Sequence, residues 1–498
     1  MLRLHWCAAA SVAFVLLCSS GALAGGPDTL WTKTYGGPYY DEGTSIQETS
    51  DGGLVFTGYK EIFIAGLPAR QIYLVRTDAD GDTLWTRLYG GLGWHFGNSV
   101  QQTFDGGFIV AGATSDYSMV ADAVLMKTDG DGIFLWGKTF GGADYEEALT
   151  VRQTGDGGYV VAGFSETLGG GLADVHLIRT DARGDTLWTR AYGGPLWDEG
   201  HCVRETSDGG FIVAGYSTLT SSPSGPDTQV YLIKTDVGGD TLWTRLYGGE
   251  YRDEGWCVEE TSDGGFAVVG EAWYPGTPAW EIDFYLVKTD QNGDSVWTRT
   301  YDASQGSDIG RFIQQTPDGG YIMTGYAQIP GIYDMYVVRT DADGDTLWTK
   351  TIGSHDAATP WEEAWALDRT SDGGYAIVGW TLSQGLGGRD AYLVKLAPDV
   401  LTLSGHLAGS ELVLDWTAWP GASLYWVCGA SNHAYFLPGF APGYQHRLAV
   451  VSPLVRTWSS GNGVGDPDSN WTYMILAVDA GEQELGRSNR FGEHDFAP

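Results

Sequence analysis

Asp-Gly-Gly followed by a short apolar run occurs seven times in this chain, beginning at Asp51, Asp105, Asp156, Asp208, Asp263, Asp318 and Asp372. A tryptophan accompanies the copies, at Trp31, Trp85, Trp136, Trp188, Trp243, Trp297 and Trp348, and successive tryptophans are 51 to 55 residues apart. That period belongs to propellers and related repeat folds rather than to short helical solenoids. Residues 28–398 are therefore read as an array whose units bury their apolar faces against one another.

Each unit reads as four short strands. In the opening copy they are EGTSIQET (42–49), LVFTGY (54–59), IYLVRTD (72–78) and TLWTRLYG (83–90). These runs are rich in β-branched and aromatic residues, and the SDGG and DADGD links between them supply the Asp and Gly of tight hairpins. Sustained 3.6-residue periodicity is missing, so almost no helix is expected. The array opens with a lone fourth strand, TLWTKTYG (29–36), and its last copy, 362–397, lacks one. Pairing the two removes exposed sheet edges, which predicts a seven-bladed β-propeller closed by its N-terminal strand.

Residues 1–24 combine Arg3, an apolar run from Cys7 to Cys18 and an Ala22-Leu23-Ala24 ending, the pattern of a signal peptide cleaved after Ala24. The run is shorter than the roughly 18–20 residues of a membrane span, so a secreted or periplasmic monomer is expected. A net charge of −35 opposes the phosphate backbone and argues against nucleic acid as a partner. Three cysteines remain beyond the signal, Cys202, Cys257 and Cys428. Cys202 and Cys257 occupy the place of Ser45, Ser99 and Thr150 in other copies, which points to a small buried side chain, with a Cys202–Cys257 disulfide as the alternative.

The turn that leads into each tryptophan, Asp78, Gly81 and Trp85, then Asp129, Gly132 and Trp136, through Asp341, Gly344 and Trp348, resembles the repeats of secreted bacterial propellers in the quinoprotein-dehydrogenase-like superfamily. The resemblance covers about three quarters of the chain and implies that the tryptophan docks between blades. The Asp-to-Trp spacing is one residue shorter than in quinone-binding members, so fold is implied and quinone chemistry is not. Thr77, Gly81 and Thr83 bear a looser likeness to the Asp-box turn of sialidases, with the Asp displaced. Beyond Pro398, VLDWTAWPGASLYWV (413–427) and WTYMILAVDAGEQELGRSN (471–489) resemble strand regions of a fibronectin type III domain, with Trp416, Tyr425 and Tyr473 at its core positions. Residues 400–498 are thus expected to form a fibronectin type III-like β-sandwich. Asn470-Trp471-Thr472 is a formal glycosylation sequon inside one of those strands.

The SDGG and DxxGD links hardly vary among copies, whereas the other two sets of links do. In a propeller the variable sets emerge together, and loops on a rigid scaffold are where binding is carried. Acidic pairs begin the innermost strand in several copies: Asp41/Glu42, Glu146/Glu147, Asp198/Glu199, Asp253/Glu254 and Glu362/Glu363. Aromatics accompany them at Tyr40, Trp94, Tyr145, Trp197, Tyr251, Trp280 and Trp361. Rings flanked by carboxylates suit sugars, so Glu42, Glu147, Glu199, Glu254, Glu363 and these aromatics are the candidate ligand-binding residues. Clustered carboxylates would equally hold Ca²⁺ through oxygen ligands, and capping of strands is their structural alternative. The DxxGD turns drift to Arg183, Gly238 and Asn292 and read as turns, not calcium loops.

Signals for catalysis are sparse. His95, His176, His201 and His355 are scattered, without HExxH spacing, and GxSxG and phosphate-loop motifs are missing. Carbohydrate binding, or capture of a protein partner, is the function this pattern supports. The alternatives are a glycan hydrolase working through paired carboxylates and a structural adhesion protein.

Overall fold

A computed structural model describes residues 26–399, apart from 118–119, 223–224, 275–280, 304–305, 330 and 355–360, together with the strands between 403 and 492. Residues 1–25, Trp280, His355 and Asn470 lie outside the described residues, as do the side chains of Trp416, Tyr425, Cys428 and Tyr473. The described residues contain no helix, so none is long and apolar enough to cross a membrane.

The repeats fold as four-stranded antiparallel sheets, and the fold is an all-β propeller. In the opening repeat, β1 (Thr29–Tyr35) precedes β2 (Asp41–Glu48), β3 (Leu54–Ile64), β4 (Leu67–Thr77) and β5 (Thr83–Tyr89). The strands β2 to β5 pair in sequence order. β1 instead pairs antiparallel with Asp390–Leu396, in one sheet with Tyr375–Thr381 and Glu362–Arg369. β3 and β4 run beyond the expected 54–59 and 72–78, because Lys60–Gln71 is itself a paired hairpin turning at Ala65 and Gly66.

The two constant links are built from their own side chains. In the Thr-x-Asp-Gly-Gly turn the Thr49 hydroxyl donates to Asp51 Oδ1 at 2.7 Å, and Gly52 N donates to Thr49 O at 2.8 Å. A cation two residues before the next turn reaches back to the same aspartate, as when Lys234 Nζ donates to Asp208 Oδ2 at 2.9 Å and to Thr235 O at 3.0 Å. In the DxxGD turn Asp78 Oδ1 accepts from the backbone of Asp80 and Asp82, at 3.0 and 2.7 Å.

The repeated tryptophan links one sheet to the next. It is half-buried on the outermost strand, where its indole meets an aromatic of the following unit edge-on, as Trp188 does Phe211 at 5.8 Å. Its far edge closes on the glycine of the next DxxGD turn: a Cβ at Gly239 would stand 2.8 Å from Trp188. Four residues after the tryptophan, a tyrosine hydroxyl donates to that glycine's carbonyl, Tyr35 to Gly81 O at 2.6 Å and Tyr301 to Gly344 O at 2.8 Å. The motif T-L-W-T-R-x-Y thus grips its neighbour, and Trp188 is an inter-sheet wedge rather than a fully buried core residue.

Innermost strands are joined by a further device. The seventh residue of one strand accepts the backbone N–H of the next: Gln47 from Gln102, Gln101 from Gln153, Glu259 from Gln315, Gln314 from Arg369, and Asp368 from Glu48. Arg152 and Arg204 hold this place in their strands and offer no acceptor.

Toward the C-terminus, Leu403–Ala408, Glu411–Trp416 and Thr457–Ser459 form one sheet. Arg447–Val451, Leu424–Ser431, Trp471–Val478, Glu484–Arg487 and Phe491–Gly492 form another.

Candidate functional site

Pairing fixes which links share an end. Asp41 faces Lys60 while Glu48 faces Leu54, and Leu54 in turn faces Thr77, which faces Thr83. The constant links therefore lie at one end of the sheet, and the variable links lie at the other, beside the first residues of the innermost strand.

Each innermost strand carries a β-bulge after its third residue. Register shifts between Gly43 and Ser45, and at the corresponding places in the six other innermost strands, leaving the fourth residue unpaired. A glycine in the second strand permits this: a Cβ at Gly58 would stand 1.8 Å from Glu42 O. Bulges re-aim side chains, and here the second, fourth, fifth and seventh residues contribute to one cavity of about 560 Å³. Its fourth-position ring varies from copy to copy, with only tryptophan occurring twice: Thr44, Asn98, Leu149, His201, Trp256, Arg311 and Trp365.

The acidic pairs split across the strand, as the two-residue alternation requires. Their first members are buried and turn to the variable links: Glu146 Oε2 accepts from Gly142 N at 2.7 Å, Asp198 Oδ2 from Gly194 N at 2.6 Å and Asp253 Oδ2 from Gly249 N at 2.6 Å. These carboxylates brace loops and are not part of the cavity lining. Burial pushes Asp253 up to about 6.

The second members each have a partner. Arg389 Nη1 reaches Glu42 at 2.5 Å, Arg252 Nε reaches Glu254 at 2.7 Å, and Trp361 Nε1 donates to Glu363 at 2.9 Å. Glu147 accepts from Asn98 Nδ2 at 2.7 Å and from the Tyr145 hydroxyl at 2.9 Å. Glu199 accepts from the Tyr216 hydroxyl at 2.6 Å and stands 3.4 Å from His201 Nε2. The environments of these two glutamates differ. Burial raises Glu147 above the usual carboxylate range. Burial also opposes ionisation of Glu199, but His201, Tyr216 and the charge of Arg252 outweigh it and hold its carboxyl below that range.

Among the sequence candidates, Glu42, Tyr145, Glu147 and Glu199 line the cavity. Tyr145 stacks on Phe164, with centroids 5.7 Å apart. Tyr40, Trp94, Trp197, Tyr251, Glu254, Trp361 and Glu363 are not part of its lining. Tyr40 and Trp197 are exposed, Trp94 lies beside the Arg70 guanidinium at 4.9 Å, and Trp361 stacks on Tyr333 at 4.7 Å.

Sequence reasoning missed the fourth-position ring, together with Arg152, Arg204, Cys202 and Cys257 below it. Its signal was the variation of that one position among copies that otherwise agree. His201 and Trp256 stack with centroids 4.1 Å apart, and the Arg311 Cζ lies 3.6 Å from the Trp256 ring centroid. Among the described residues, no three His, Cys, Asp or Glu side chains converge as a metal ion would require. The cavity can stack a planar or C–H-rich ligand on its aromatics and hydrogen-bond it with both donors and carboxylates.

No protein-family model matches the chain. A stretch of 155 residues is 29% identical to the regulatory protein FlaEY of Caulobacter vibrioides, covering 27% of this chain and 16% of that protein. The chain therefore spans about a sixth of that relative. Among solved structures, the Neurospora crassa Pan2 WD40 domain is similar with a TM-score of 0.48 and 11% identity, over 75% of this chain and 96% of that one. The polysaccharide lyase Uly1 gives 0.46 and 12%, over 74% and 93%. A Penicillium chrysogenum α-L-arabinanase bound to arabinobiose gives 0.39 and 11%, over 74% and 99%.

Proposed function

We propose that this is an exported, monomeric binding protein that takes an extracellular glycan, in preference to a protein partner, into the cavity near its variable end. The observation that carries the reading is the cavity itself. About 560 Å³ lies among Tyr59, Phe96, Tyr145, Phe164, Trp256 and Trp365, with carboxylates and N–H donors interspersed. Sugars need both kinds of wall, C–H faces against rings and hydroxyls against polar groups. The same proposal includes seven blades closed by β1, supported by its pairing with Asp390–Leu396 and by the Glu48 N–H donated to Asp368. It also includes the quinoprotein-like grouping of the repeats, the signal peptide at 1–24 and a fibronectin type III-like sandwich at 400–498.

A screen of residues 25–498 against polysaccharides tests this, run with calcium and with chelator, and with released sugar measured in the same wells. Binding without release is expected. Silence in every well would refute the glycan reading and favour a protein partner or a structural adhesion role.

Hydrolysis is the second reading, favoured by the opposite displacement of Glu147 and Glu199, one kept protonated to higher pH and the other ionised to lower pH. Such a split is how one site holds an acid and a base. Released sugar that vanishes in both Glu147→Gln and Glu199→Gln would establish it.

A further inference from the structure

Three neighbouring side chains of the cavity ring present donors that nothing in the protein accepts. The Arg311 Cζ lies 3.6 Å from the Trp256 ring centroid and 4.5 Å from that of Trp365. Nε and Nη1 of Arg311, Nε1 of Trp256 and Nε1 of Trp365 are all buried and have no hydrogen-bond partner among the described residues. A buried N–H left unpaired is costly, and a buried charge more so.

The carboxylates whose charge reaches Arg311 are committed to other donors. Glu363 accepts from Trp361 Nε1 at 2.9 Å, and Glu271 accepts from Trp273 Nε1 at 3.1 Å. The repeated cations on the constant turns each meet an aspartate, as Lys234 meets Asp208. A guanidinium that makes no direct ion pair among the described residues and leaves two buried nitrogens unpaired, in a chain of net charge −35, is therefore a site prepared for an anion from outside.

We infer that Arg311, Trp256 and Trp365 form a subsite for the carboxylate of an acidic saccharide, a uronate residue. The inference rests on the glycan reading and narrows it. A guanidinium is the side chain best suited to a planar carboxylate, and the two indole N–H groups supply further donors to its oxygens. A neutral sugar would leave the Arg311 charge unpaired.

The test is calorimetric titration of residues 25–498 with oligogalacturonate, the same oligomer after carboxyl reduction, a neutral cello-oligosaccharide and a sulfated neutral oligosaccharide. Oligogalacturonate is expected to bind about tenfold or more tighter than its reduced form, the scale of one charge-assisted contact. Arg311→Gln should erase that preference, and Trp365→Phe, which keeps an aromatic face and removes the N–H, should weaken it severalfold. Thermal melts and circular dichroism would check that both variants are folded. Equal binding of the reduced or neutral oligomers, a preference for the sulfated one, or an unchanged preference in folded Arg311→Gln would overturn the uronate subsite while leaving glycan binding intact. Failure of every sugar to bind would overturn both.

Discussion

Cys202 Sγ lies 3.2 Å from Cys257 Sγ across the join between two neighbouring sheets, both as free thiols. Arg204 Nη1 donates to Cys202 Sγ at 3.3 Å, and Arg204 Nη2 to Cys257 Sγ at 3.6 Å. At this join the acceptors that link the other innermost strands are replaced by arginine, so the sulfurs and guanidinium groups satisfy one another instead.

Burial opposes ionisation of Cys202, but the hydrogen bond from Cys257 and the charges of Arg204 and Arg152 outweigh it and lower its pKa. Burial and the neighbouring sulfur push Cys257 up. The thiolate is the nucleophile, so iodoacetamide at pH 6 should label Cys202 before Cys257. Cys257→Ala should slow that labelling severalfold. Peptide mass mapping decides it, and labelling of Cys257 first would reverse the assignment.

Trp188→Ala should destabilise the protein by about 2–4 kcal/mol, somewhat below a full core truncation because the indole is half-buried. Trp197→Ala, at an exposed site, should change stability by less than about 0.5 kcal/mol. Trp361, like Trp197, accompanies an acidic pair, but its stack on Tyr333 and its bond to Glu363 place Trp361→Ala between the two, at about 1–2 kcal/mol. Urea titrations give the order.

Gly239 and Gly209 both have positive φ, 79° and 81°. A side chain there costs about 1–2 kcal/mol in either place. At Gly209 a Cβ would meet nothing within 4 Å, whereas at Gly239 it would stand 2.8 Å from Trp188. Gly239→Ala should therefore lower the melting temperature clearly more than Gly209→Ala. Equal effects would show that the wedge is loose.

Stability should fall between about pH 4 and pH 7. Burial pushes Asp253 up to about 6 and Asp308 to about 7, against the roughly 3.9 of an aspartate in the unfolded chain. The native state then holds protons that the unfolded chain has lost, so stability declines as pH rises through 6 to 7. Asp208 and Asp263 shift the other way, to about 2: burial opposes this, and hydrogen bonds from their threonine and lysine partners outweigh it. Their contribution is present above about 4 and is lost as pH falls toward 2. Melting should be highest near pH 4, and Asp308→Asn should flatten the decline between about pH 4 and pH 7. A melting temperature that rises from pH 5 to pH 8 would contradict this.

The turns, the strands and the grip of each tryptophan on the next unit were legible because they are local and repeated. Thr49 with Asp51, or Asp78 with Asp82, closes its hairpin within five residues wherever the repeat places it. The sequence by itself therefore determined the four-stranded unit, its period and the end at which the copies vary. Which acidic residue faces the cavity was not legible, because the pleat and the bulge after Gly43 set the phase, and only packing against Gly58 reveals the bulge. The same holds for Arg311 between Trp256 and Trp365, and for Cys202 against Cys257. These residues stand some 50 or more positions apart and meet only because the innermost strands of successive sheets are brought side by side. Tertiary structure decided the site, since its chemistry depends on which donors are left without acceptors once every sheet has packed.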